Sequence, residues 1–147
     1  MKKLLKSLLA VMLIAMMAFS FTSCGVAKNP EKAEKKLKDA GYEVEVIDDE
    51  EMLAMYAKQY DLEKGDIECI VEGDKDSDYV LIIYCANSKA AKKIYDEYKK
   101  QFDEMKEEIK DLSGTEKELA EEYLDKLKYG KSGKVVYSGT KNGVKAA

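Results

Sequence analysis

The chain has 147 residues, with 25 basic groups, all of them Lys, against 29 acidic ones, and it contains neither His nor Trp. Lack of His removes the commonest metal ligand and the usual acid–base group at neutral pH, which counts against zinc and hydrolase chemistry together. An acidic balance without Arg forks counts against a nucleic-acid partner, because phosphate binding is dominated by cations that displace counterions.

Lys2, Lys3 and Lys6 give a basic start, and an apolar run over 8–21 follows, broken only by Ser20. An apolar core of about 7 to 15 residues behind positive charge is the secretory pattern, and it is short of the roughly 20 residues a bilayer span needs. Phe21-Thr22-Ser23-Cys24-Gly25 closes the run. This end resembles the lipobox of bacterial lipoproteins, with Phe21 standing where that family usually has Leu. The resemblance covers the signal and its cleavage point alone. It implies a lipid on the Cys24 thiol and a cut before that residue, where the small Thr22 and Ser23 fit the peptidase. Residues 1–23 are then a lipoprotein signal peptide, and the protein sits lipid-anchored on the extracytoplasmic face of the cell membrane. The other readings of this segment are an ordinary secretory signal and a retained anchor. Beyond residue 23, 22 Lys face 29 acidic groups, a net charge of −7. That leaves no polybasic patch for anionic lipid, so the diacylglyceryl group implied by the resemblance would supply the anchoring.

Residues 24–29 read as a short tether and 30–147 as a single α+β domain. The stretch Gly25 to Lys28 reaches no more than roughly 20 Å. Asn29 and Pro30 signal a first helix that Gly41 stops, with Ala33, Leu37 and Ala40 on its thin apolar side. Tyr42-Glu43-Val44-Glu45-Val46 alternates with period two and predicts a strand with one wet face. Asp48 or Asp49 starts a second helix that buries Leu53, Tyr56, Ala57 and Tyr60. Strands over 66–73 and 78–86 flank the polar turn Asp74-Lys75-Asp76-Ser77, a hairpin. The second strand has no polar residue over 79–86, so both its faces should be covered and it should lie inside the sheet.

Ser88 is the expected cap of a long helix reaching 112, on which Ala91, Tyr95, Tyr98, Phe102, Met105, Ile109 and Leu112 form a heptad stripe. This stripe either lies on the sheet and the next helix or protrudes at its distal half and pairs with another chain. Thr115 and Glu118 suggest a capping box for another helix, with Leu119, Tyr123 and Leu127 as its buried side. A loop at 130–133 leads into a strand over 134–138, and a tail follows. This order predicts an α+β fold of ferredoxin-like, split βαβ type with an extra N-terminal helix. In it an antiparallel sheet of about four strands carries helices on one face, and strand 79–86 lies beside strand 42–48.

Three groups of residues invite chemistry. Asp74, Asp76 and Asp78 alternate as at the start of a calcium loop, but Tyr79 occupies the position where such a loop needs Gly and Cys85 the position of its closing Glu, so a solvated turn is favoured. Cys69 and Cys85 read as core thiols, because in the expected hairpin they lie diagonally, long for a disulfide. Glu43, Glu45, Glu68 and Glu72 read as the wet face of strands. No catalytic, cofactor or metal residue is assigned, and Cys24 is the one site residue, for lipidation. The expected function is a non-catalytic binding or structural module with a membrane-surface protein as partner. The alternatives are a ligand-capture accessory of an uptake system and a small enzyme.

Overall fold

The computed structural model describes residues 26–147. Helix α1, Pro30–Asp39, starts as the sequence predicts: the Asn29 Oδ1 accepts from the Glu31 N–H at 2.9 Å, and Pro30 occupies the first turn, where no amide donor is missed. Gly41, at φ 85°, turns the chain into β1, Glu43–Ile47. Asp49 caps α2, Glu50–Gln59, through its side chain. Then follow β2, Ile67–Lys75, β3, Asp78–Cys85, α3, Ser88–Lys110, α4, Gly114–Lys126, β4, Leu127–Ser132, β5, Val135–Thr140, and α5, Lys141–Ala146. Two expected caps move. Asn87, not Ser88, caps α3 by accepting from the Ala90 N–H at 2.8 Å, and Ser113 precedes α4, which puts Thr115 and Glu118 inside the helix instead of in a capping box.

The sheet is antiparallel, with five strands in the order β1-β2-β3-β5-β4. β3 is central, as its unbroken apolar run requires. The rest of the expected topology is corrected. The fifth strand, β4, takes in Leu127, expected on a helix, and the start of the expected loop at 130–133. A two-residue turn at Gly133 and Lys134 closes it onto β5, Gly133 taking φ 60°. β1 pairs with β2 and not with β3, so the parallel central pair of a ferredoxin-like sheet is not formed. The physical reason is that β5 fills the second edge of β3 along Val80 to Tyr84, leaving β1, with its alternating wet face, at the rim.

Helices cover both faces rather than one. On one face α1 and α5 bury Ala33, Leu37 and Val144 against Val71, Val80, Ile82 and Tyr84. On the other, α2 and α3 bury Leu53, Ala57, Ala91 and Ile94 against Ile70, Ile83, Cys85 and Val136. Alternation along β3 sends its side chains to the two cores in turn, which is why no polar residue interrupts it.

The first described residues belong to the domain and not to a tether. Val26 is 2% exposed in the α1–α5 core, the Ala27 N–H donates to the Ala147 carbonyl at 3.3 Å, and the Tyr84 hydroxyl donates to the Ala27 carbonyl at 2.8 Å. The expected tether over 24–29 is thereby shortened to the residues before Val26. None of the described helices is long and apolar enough to cross a membrane.

Candidate functional site

Of the long stripe on α3, only the proximal part enters the core. Of its residues only Ala91 is fully buried, joined by Ala90 and Ile94 from outside the stripe, whereas Tyr95, Tyr98, Phe102, Met105, Ile109 and Leu112 are half-covered. The reason is length. At 1.5 Å per residue, 23 residues make a rod of roughly 34 Å, and β3, with about 3.3 Å per residue, spans only about 23 Å over its paired stretch from Asp78 to Cys85. Tyr98 already sits beside Ser138, and Phe102 and Met105 line a cleft with Tyr79 and Leu127 at the far end of the strands. Beyond Met105 α3 continues to Lys110, about 8 Å further.

α4 returns alongside this overhang and packs on α3. Ala120 and Leu124 are its half-buried residues there, and none of its side chains is fully buried. Leu119 and Tyr123, expected in its buried stripe, are instead 61% and 54% exposed. Two antiparallel helices cover each other along one seam only, so an apolar stripe turned away from that seam stays largely exposed. The α3–α4 pair is therefore a helical arm whose root is set in the sheet and whose outer surface is apolar along one line.

The root is held by aromatic contacts. Tyr129 on β4 lies between Tyr95 and Phe102, with ring centroids 5.6 and 5.1 Å away. Tyr98 and Tyr60 meet edge to face at 6.1 Å, joining α3 to the end of α2. Burial pushes the Tyr98 hydroxyl far above its ordinary value, with the neighbouring Tyr60 adding to the effect. Tyr79 is pushed up to about 12, first by burial and then by its hydrogen bond with Tyr123. That bond ties Tyr123 on α4 to the cleft that Tyr79, Phe102, Met105 and Leu127 line.

The cleft holds about 150 Å³. Small-molecule sites usually run from about 300 to 1,000 Å³, so a metabolite would not be enclosed here. The larger concavity, about 680 Å³, is lined by Asp96, Lys99, Asp103, Glu107 and other residues of α3 alone. One helix cannot enclose a ligand, and its charged groups pair along the helix, as Lys99 does with Asp103 at 2.9 Å. It is solvated surface.

The structure separates the groups that the sequence placed together. Glu43, Glu45 and Glu72 share the α2 side of the sheet, and Glu72 accepts from the Tyr56 hydroxyl at 3.2 Å. Glu68 is cut off from them by a bulge between Ile67 and Cys69. Asp74 and Asp78 flank a two-residue hairpin turn in which Asp76 takes φ 53°, and the Lys75 ammonium donates to the Ala40 carbonyl at 2.7 Å. Among the described residues no group of three or more His, Cys, Asp or Glu is placed to hold a metal ion. Cys24, the predicted lipidation residue, lies outside the described residues. The arm's exposed stripe is what the sequence reading missed; the available signal was that Leu119 and Tyr123 are too few to serve two neighbours.

Comparison of the chain with protein-family models, with curated proteins and with solved structures finds no match.

Proposed function

We propose that this protein is a lipoprotein anchored through Cys24 on the extracytoplasmic face of the cell membrane, and that it works as a non-catalytic protein-binding module through its α3–α4 arm. The observation that carries the binding role is the exposed Leu119–Tyr123 stripe, on a helix that packs on α3 and is tied through Tyr123 to Tyr79 at the arm's root. Exposed apolar surface of this kind, rimmed by charge, marks a protein interaction site. The anchor rests on the lipobox resemblance, and the packing of Val26 gives it a consequence. Two peptide units span at most about 7 Å, so a lipid on Cys24 would hold the Tyr84 end of the domain close to the headgroups. The arm leaves the sheet at the opposite, Tyr79 end. It would therefore stand roughly 30 Å from the anchor, the sum of the strand length and the overhang.

Two experiments test the two halves. Cys24→Ser should abolish metabolic labelling with a fatty acid and release the protein from membranes or leave an uncut precursor; unchanged labelling overturns the anchor. For the binding role, washed membranes carrying the protein are treated with a lysine-reactive crosslinker. Wild type should give adducts that the Leu119→Ser/Tyr123→Ser variant loses while its circular dichroism spectrum stays the same, and adducts identical in both overturn the role of the stripe.

A further inference from the structure

The part of the arm beyond its root is acidic: between residues 103 and 126 the chain holds ten acidic residues and four lysines, a net of −6. On α4 the charges border the apolar stripe: Glu118 and Glu122 each precede a stripe residue, Leu119 and Tyr123, and all four are exposed. With 100° between successive helical residues, Glu118 and Glu122 run along one side of the stripe and Glu116 along the other.

We infer that the arm is a docking surface for a cationic amphipathic segment of another exported protein, whose apolar side covers Leu119 and Tyr123 and whose Lys or Arg residues meet Glu116, Glu118 and Glu122. This rests on the reading of the arm as a binding surface and adds the chemistry of the occupant. Complementary charge at the rim of an apolar stripe is how amphipathic helices are recognised in grooves, and it steers the encounter as well. A second copy of this chain is the wrong occupant, since it would set one arm tip of −6 against another, and like charges brought together at an interface oppose association. An anionic lipid surface is disfavoured for the same reason.

The test uses the full-length protein in its own membranes, with a photoreactive p-benzoylphenylalanine in place of Leu119. Illumination should give a discrete adduct, and sequencing of the crosslinked peptide should show a segment rich in Lys and Arg with apolar residues at helical spacing. Raising the salt from about 0.1 to about 1 M shortens the screening length from about 10 to about 3 Å, so the yield should fall sharply. It should fall equally in a Glu118→Lys/Glu122→Lys background, which leaves the apolar stripe intact. An adduct to this chain itself, an adduct to a neutral or acidic segment, or a yield indifferent to salt and to charge reversal overturns the inference, yet leaves the binding role of the stripe standing. Absence of any adduct at Leu119, together with lysine-reactive adducts that survive loss of the stripe, overturns both.

Discussion

Cys69 and Cys85 sit at the paired ends of adjacent strands and yet face opposite sides of the sheet: the Cys69 side chain packs with the α1–α5 core, the Cys85 side chain in the α2–α3 core. The register brings this about: with Lys75 opposite Asp78 at the turn, Cys69 falls opposite Tyr84, and Cys85, the next residue along its strand, points to the other face. The sheet itself stands between the thiols. Close strand pairing here prevents a disulfide instead of promoting one, since the side chains diverge from the bond geometry a disulfide needs.

The first prediction follows from that arrangement. Burial pushes the Cys85 thiol up to about 12, with the charges of Asp66 and Glu68 adding to it, and burial also raises Cys69. In a Cys24→Ser background, maleimide at neutral pH should leave Cys85 unmodified in the folded protein, with Cys69, half-buried, reacting first. Both should react on unfolding without prior reduction. A native mass two hydrogens lower would contradict the placement of the thiols on opposite faces.

The second concerns the central strand. Ile82 is 0% exposed, with β2 on one side and β5 on the other. Ile82→Ala should cost about 2 to 5 kcal/mol, a large share of the roughly 5 to 15 kcal/mol of a domain. Lys99→Ala, which removes an exposed ion pair with Asp103, should stay within about 0.5 kcal/mol. Thermal midpoints of the two variants check the contrast, and similar values would remove β3 from the middle of the sheet.

A third lies in the backbone beneath α5. A methyl group on Gly139, at φ 157°, would run into the carbonyl oxygen of Tyr79 and the Cα of Val80, both main-chain atoms that cannot swing aside. Gly139→Ala should therefore destabilise by about 1 to 3 kcal/mol or more, through overpacking and backbone strain together. Gly65→Ala is the control for backbone conformation alone: at φ 93° a methyl there meets nothing within 4 Å. Denaturant midpoints should rank wild type above Gly65→Ala and Gly65→Ala above Gly139→Ala.

The fourth is a pH dependence. The Tyr79 hydroxyl titrates near its ordinary value of about 10 when unfolded and at about 12 when folded, so the folded state holds the proton more tightly. The stability this contributes is fully present below pH 10 and is lost as pH rises toward 12. Tyr79→Phe has no such proton to lose. Between pH 10 and 12 the denaturant midpoint of wild type should fall more steeply than that of Tyr79→Phe, and parallel slopes would show that Tyr79 is as accessible as an unfolded tyrosine.

How far the sequence reaches can be judged from particular elements. Local signals placed α1 and α2 with their caps, since Asn29 and Asp49 act on amides two and three residues away and need no distant partner. The apolar run of β3 likewise showed that both faces of that strand are covered, because alternation along a strand leaves a continuous run no other solution. By contrast, Leu119 and Tyr123 looked like any buried helical stripe. Periodicity states which residues share a face and is silent on whether a neighbour exists to meet it.

What only the tertiary structure decided is therefore pairing and reach. Strand order depends on which edges meet, a long-range competition in which β5 took the place beside β3 that the sequence reading gave to β1. A single bulge puts Ile67 in the same core as Ile70, since side chains alternate with period two and one extra residue sends what lies beyond it to the other face. The sequence by itself determined the acidic balance and most of the helices and strands, and it is the sole basis of the proposed lipid at Cys24, all of which are written in neighbouring residues. That acidic side chains and the exposed apolar stripe stand together on an arm beyond the sheet follows from the length of α3 measured against the strands, and lengths in space are compared only once the chain has folded.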